Sequence, residues 1–200
     1  MATITRRRIG PADHGRRMTL DEFIEADFEE GWLYELARGV IDVTEVPGVN
    51  HGWIVRRVTR MFILYEDAHP GVIHYGAGGS DCRLRLPGMQ SDRHPDQAIY
   101  LSPPLPGPRL WTRWIPQIVV EVVSEGGEER DYVEKREEYL RAGVQESWIL
   151  DPAARVMRVL QRAADVWDEV VVSTGAMYQT PLLPGLEVRP EELLGPLEGA

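Results

Sequence analysis

The sequence is poor in three things. It has one cysteine, Cys82, in 200 residues, which excludes an internal disulfide and any cysteine-cluster zinc site. No apolar run approaches the roughly 20 residues that cross a bilayer, and the Arg-rich start lacks the apolar segment of a secretory signal. Membrane and secreted classes are therefore set aside, and a cytoplasmic protein is expected. The third scarcity is lysine: of 22 basic residues only Lys135 is one. Genome composition accounts for a general shift to arginine, but not for the one position that kept a compact ammonium able to approach a phosphate or a water. The formal net charge of −10 argues against unspecific coating of nucleic acid or acidic lipid, while leaving room for a local basic groove.

What is present suits one globular domain, because 200 residues bury a core without a covalent staple. Residues 1–17 carry Arg6, Arg7, Arg8, Arg16 and Arg17 against Asp13 and read as a mobile basic tail, with phosphate contact as the alternative. Residues 18–200 read as a single domain. Thr19-Leu20-Asp21-Glu22 is a capping box that opens a short helix with Leu20, Phe23 and Ile24 inward. Trp32–Leu36 and Val40–Val43 flank Ala37-Arg38-Gly39 as a hairpin. Asn50 can cap a longer helix on which Ile54, Val58, Met61, Phe62 and Tyr65 keep helical spacing. Its other face offers Arg56, Arg57 and Arg60, either a solvated face or a contact to a nucleic-acid backbone.

The middle of the chain is strand-like. Val72–Tyr75 and Cys82–Leu86 are separated by Gly76-Ala77-Gly78-Gly79, a turn rather than a phosphate loop, since no Gly-Lys-Ser/Thr follows. Ala98–Leu101 follows Pro95-Asp96, and residues 102–109 form a Pro-rich loop. Ile118–Val123 is the strongest central strand, apolar on both faces. Asp131–Ala142 is helical and ends at Gly143. Trp148–Leu150 is a further strand, so that strand, helix and strand make a βαβ unit. Val156–Gln161 and Trp167–Val172 form a later hairpin, and Leu182–Leu194 closes the chain. The expected class is mixed α/β, with no internal repeat.

Four residues carry chemistry. Glu121 stands among valines, where an ionised carboxylate is costly without a partner; it is either held by a metal ion or reaches water past the strand end. Asp96 lies at the mouth of an apolar strand. Lys135 lies at the edge of the stripe made by Tyr132, Val133, Tyr139 and Leu140, from which its stem can turn toward the end of the strand. Glu35 is on the early hairpin, with a solvated strand position as the alternative. Two carboxylates and a lysine suit metal-assisted phosphoryl chemistry: carboxylate oxygens favour Mg²⁺, with Mn²⁺ able to substitute, and a nearby lysine offsets charge or orients water. Asp131 and Glu134 are expected on a solvated helix face. His51 and His94 are expected to be structural, with contact to DNA as the alternative.

Pro95-Asp96, Val120-Glu121-Val122-Val123-Ser124, Glu134-Lys135, Tyr139-Leu140-Arg141-Ala142-Gly143-Val144 and Trp148-Ile149-Leu150-Asp151-Pro152 together resemble the Uma2 (DUF820) family. Tyr34–Ile41 and Pro181–Leu186 are similar to it too, so the resemblance covers about residues 18–195. It implies an endonuclease of the PD-(D/E)XK superfamily: a restriction-endonuclease-like mixed β-sheet flanked by helices, with extra β-hairpins. It implies Asp96 and Glu121 as metal ligands, joined by the backbone carbonyl of Val122, and Glu35 as an early acidic site residue. Most of that superfamily places a lysine two residues after the second acid. Here that position is Val123, and the resemblance moves the role to Lys135.

The expected function is a Mg²⁺-dependent endonuclease acting on DNA, with Asp96, Glu121, Lys135 and Glu35 in its site and the Asp96 and Glu121 carboxylates about 3–6 Å apart. Two alternatives stay open: a catalytically silent nuclease-fold domain used for DNA or protein contact, and a two-carboxylate hydrolase of a non-nucleic substrate. A homodimer is expected, from the apolar and aromatic surplus in Trp111, Trp114, Trp167 and Met177 and from the two sites that cutting a duplex calls for.

Overall fold

The computed structural model describes residues 6–124, 126–127 and 129–195. In chain order its elements are β1 (Arg8–Ile9), α1 (Leu20–Ile24), β2 (Asp27–Phe28), β3 (Trp32–Ala37), β4 (Val40–Glu45), α2 (Val49–Ala68), β5 (Tyr75–Ala77), β6 (Leu84–Leu86), β7 (Ser91–Arg93), β8 (Gln97–Tyr100) and β9 (Ile118–Val122). A π-helical turn at Arg130–Glu134 then leads into α3 (Lys135–Ala142). β10 (Glu146–Asp151), β11 (Val156–Ala163), β12 (Val166–Ser173), β13 (Tyr178–Gln179), β14 (Glu187–Val188) and α4 (Pro190–Leu194) complete the chain.

The apolar run of β9 places it inside a six-stranded sheet of order β12-β11-β10-β9-β8-β5. Within this sheet, among the described residues, only the β9–β10 pairing is parallel, and α3 is its crossover, as the βαβ spacing requires. Alternation along β9 divides its side chains between two layers. Ile118, Val120 and Val122 join Trp148 and Leu150 in the core beneath Ile54, Val58 and Phe62 of α2. Val119 and Val123 pack on the other side with Tyr139, Tyr132 and Trp167, and Glu121 shares that side. A second, four-stranded antiparallel sheet, β4-β3-β7-β6, contains the expected hairpin. Its two-residue turn, Arg38-Gly39, has positive φ at both positions, the conformation that suits the twist of the flanking strands. The chain is thus a mixed α+β protein with a helix-flanked mixed sheet and extra hairpins, as expected.

Several expectations need correction. The described part of the basic segment is not a mobile tail. From Arg8 it is held: Arg8 and Ile9 pair with Asp27 and Phe28, and Ile9 is fully buried beside Phe23, Leu36 and Ile41. Burial of one isoleucine and a bridge from Arg17 to Val40 outweigh the polar composition around them. Residues 1–5 lie outside the described residues. Asn50 is not the cap of α2, which starts at Val49 with Gly48 as its N-cap. Val72–Tyr75 gives way to a strand that begins at Tyr75 and runs into the glycine segment. The surplus aromatics turn inward: Trp114 is 8% exposed and packs with Cys82 and Tyr100, and Trp167 donates Nε1–H to the Arg136 carbonyl. Of the four dimer candidates only Met177 is well exposed.

Candidate active site

A cavity of about 750 Å³ opens between the two sheets, lined among others by Glu35, His51, Asp96, Glu121, Val122, Arg130, Asp131 and Lys135. Its floor is the end of β9. The register Gln97↔Val120 sets Asp96, the residue before β8, beside Glu121. The glycine segment fixes Asp96 from behind: Gly79 N–H donates to the Pro95 carbonyl at 2.8 Å, and any Cβ at Gly78 would collide with the Asp96 carbonyl. That close approach is the physical use of the glycines. The Asp96 side chain is oriented by two contacts to Oδ2: Val122 N–H donates to it at 2.8 Å, and His51 Nε2 lies 3.2 Å away.

Glu121 is 2% exposed and both its oxygens are engaged. Lys135 Nζ donates to Oε2 at 2.9 Å, and the Tyr139 hydroxyl donates to Oε1. Lys135, 5% exposed, also lies 3.2 Å from Asp131 Oδ1 and 3.9 Å from Glu35 Oε1. One ammonium thus serves three carboxylates. Burial pushes Glu121 up to about 8; Lys135 opposes this, while Asp96, Asp131 and Glu35 reinforce it. Burial acts against the Lys135 charge, but Glu121, Glu35 and Asp131 outweigh it and hold the ammonium protonated.

Glu35 occupies the site rather than a solvated strand face. It accepts from the Arg93 guanidinium at 3.1 Å and from the His94 amide at 2.8 Å. Burial raises its pKa, but Lys135, Arg93 and the His94 amide bring it down to about 2. Behind it, Arg93 is fully buried and donates to Glu138 at 2.7 Å and to Glu134 at 3.3 Å. This second layer ties β3, β7 and α3 together.

Sequence reasoning missed several of these groups. Asp131 is 3% exposed, not solvated, and its Oδ1 accepts no hydrogen bond despite lying near Lys135. The buried side of the π-turn and α3 is Asp131, Lys135, Glu138 and Tyr139, whereas Val133 is 52% exposed. Arg93 had no signal at all in a three-residue strand. His51 showed only as a histidine near a helix start. Arg56, Arg57 and Arg60 line a separate cavity of about 920 Å³, between α2 and residues 185–195, that shares no lining residue with the first. There Arg57 donates to the carbonyls of Leu193 and Gly195, and Arg56 lies over the Trp53 ring.

Among the described residues no group of three or more His, Cys, Asp or Glu side chains is disposed to hold a metal ion. A cation here would therefore rely on two carboxylates, backbone oxygen, water and substrate, a donor set that suits Mg²⁺ rather than zinc.

No curated protein matches the chain. A crystal structure described as a "putative nuclease belonging to DUF820" from Anabaena variabilis ATCC 29413 has the same fold, with a TM-score of 0.70 at 18% identity, covering 88% of this chain and 97% of that one. The model of the Uma2 family, described as "Putative restriction endonuclease", matches residues 20–191. That match spans most of the chain, and the protein belongs to the Uma2 family.

Proposed function

We propose that this chain is a divalent-metal-dependent endonuclease that hydrolyses phosphodiester bonds in DNA. One observation carries the reading: Asp96, Glu121 and Lys135 converge on one cavity from a strand mouth, a central strand and the following helix, with Lys135 Nζ 2.9 Å from Glu121. The donor chemistry fits a hard cation. Five carboxylates (Glu35, Glu45, Asp96, Glu121 and Asp131) line the cavity, and the upward push on Glu121 comes first from burial and then from the Asp96, Asp131 and Glu35 charges. Asp96 and Glu121 would hold Mg²⁺ or Mn²⁺. The Val122 carbonyl would join them, leaving the strand on the same edge as the amide that reaches Asp96. Such an ion lowers the pKa of water and neutralises charge on a phosphate.

The protein's own groups do the rest. Tyr139 and Lys135 hold Glu121 in one orientation. Glu35 and Asp131 keep the ammonium charged and fixed, so that it offsets phosphate charge or orients the attacking water without reorganising. Lys135 lines the cavity beside these acids and is not sealed in the core, which favours the nuclease over a catalytically silent domain. Cutting both strands of a duplex calls for two such sites, and a homodimer is the simplest source; light scattering at 22.7 kDa would contradict it.

The test is cleavage of plasmid and single-stranded DNA with Mg²⁺ or Mn²⁺ and with chelator, by wild type, Asp96→Asn and Glu121→Gln. Metal-dependent cleavage that falls by about 10²-fold or more in both variants is expected. No cleavage by wild type, or variants as active as wild type, would overturn the reading.

A further inference from the structure

We infer that His51 is a positioning residue for the metal site: it clamps one oxygen of Asp96 so that the other is presented to the cation. The inference rests on the metal-dependent reading above. His51 belongs to the first turn of α2, a different element from those that supply Asp96 and Glu121, and its side chain is 13% exposed. Its Nε2 meets Asp96 Oδ2 at 3.2 Å, and the Val122 amide donates to that same oxygen at 2.8 Å. Among the described residues nothing donates to Oδ1, although Asp96 lines the cavity.

This asymmetry has a physical meaning. A carboxylate on a short side chain turns freely about its last bond, and a cation that binds it must stop that rotation. Two donors on Oδ2 stop it beforehand, and the fixed backbone at Gly78 and Gly79 stops the carbonyl side from shifting. Val122 supplies one donor by the strand geometry alone. The second comes from a side chain of α2, so that α2 is coupled to the ion site and not only to the core. Partners that orient metal ligands in this way contribute about 10–100-fold in metal affinity.

The experiment compares wild type, His51→Leu and His51→Gln by calorimetry with Mn²⁺ alone, with melting in chelator as the folding control and cleavage rate titrated against Mn²⁺. Glutamine keeps an N–H at similar reach; leucine keeps bulk and loses the donor. His51→Leu is expected to weaken Mn²⁺ binding about 10–100-fold, and His51→Gln to return within about threefold of wild type. The Mn²⁺ concentration for half-maximal cleavage should move more than the rate at saturation. Leucine and wild-type proteins that bind Mn²⁺ equally would overturn the positioning role and leave the metal site standing, as would glutamine binding as weakly as leucine. Wild type that binds no Mn²⁺ would overturn both.

Discussion

Replacing Lys135 with methionine removes the ammonium while keeping most of the side chain's volume. The size of the effect is set by the groups that the ammonium faces: Glu121 at 2.9 Å, Asp131 at 3.2 Å and Glu35 at 3.9 Å. At an effective dielectric constant of about 20, charges at such distances attract by roughly 4–6 kcal/mol per pair, much of it offset by the cost of burying them. Removing one partner of a buried pair leaves the cost without the attraction, and typically destabilises by about 3–5 kcal/mol. In a chain of this length each kcal/mol moves the melting temperature by about 2–4 °C. Lys135→Met should therefore melt roughly 6–20 °C below wild type by calorimetry in chelator. Adding Glu121→Gln removes one of the stranded carboxylates and should recover part of the loss, with a coupling energy of about 0.5–3 kcal/mol. Lys135→Arg keeps the charge but crowds a packed site, costing about 1–3 kcal/mol in stability and about 10²–10³ in cleavage rate. A methionine variant that melts with wild type, or a double variant that is simply additive, would refute the shared-ammonium argument.

Three other outcomes are expected from the same geometry. Gly78→Ala forces a methyl group into the Asp96 carbonyl; it should cost at least about 1–3 kcal/mol and weaken Mn²⁺ binding, and normal values of both would show that the turn yields freely. Glu35 has a folded pKa of about 2 against an ordinary 4.5, so its contribution to stability is complete above pH 4.5 and is lost as pH falls toward 2. Melting of Glu35→Gln in chelator should be flatter than wild type across that window, and an unchanged slope would contradict the assignment. Arg57→Ala breaks hydrogen bonds to the carbonyls of Leu193 and Gly195; its loss of about 1.5–3 kcal/mol should appear in melting and not in DNA affinity. An Arg57→Ala protein that melts normally but binds DNA weakly would return Arg57 to the nucleic-acid contact.

The legible parts of the molecule are those where one local signal sufficed. The β9–α3–β10 unit showed through an apolar strand, a helix closed by Gly143 at φ 98° and a second apolar strand. Lys135 stood out because composition had removed every other lysine. Asp131 did not, because the apolar residues Tyr132, Val133, Tyr139 and Leu140 drew the inward stripe along the wrong side of the helix. A wheel drawn at 100° per residue puts Asp131 about 40° from Lys135 and Val133 about 160° away, which is the burial observed. The buried side of α3 is also polar, with Lys135, Glu138 and Tyr139 facing Glu121 and Arg93. A hydrophobic pattern cannot reveal a face whose partners are other charges. Arg93, Glu35 and Glu138 meet across 45–58 residues of sequence separation, and His51 meets Asp96 across 45; such long-range pairs leave no local trace. The N-terminal segment misled for the opposite reason, since one buried isoleucine outweighed the arginines around it.

The nuclease reading depends on Asp96 and Glu121 forming a cation site in front of Lys135. A crystal grown with Mn²⁺ and measured by anomalous scattering would decide it. One strong peak is expected in this cavity, within about 2.0–2.4 Å of an Asp96 oxygen and a Glu121 oxygen, with Asp96 Oδ2 still held by Val122 and His51. Saturating Mn²⁺ with no peak there, or a peak bound by neither carboxylate, would contradict it.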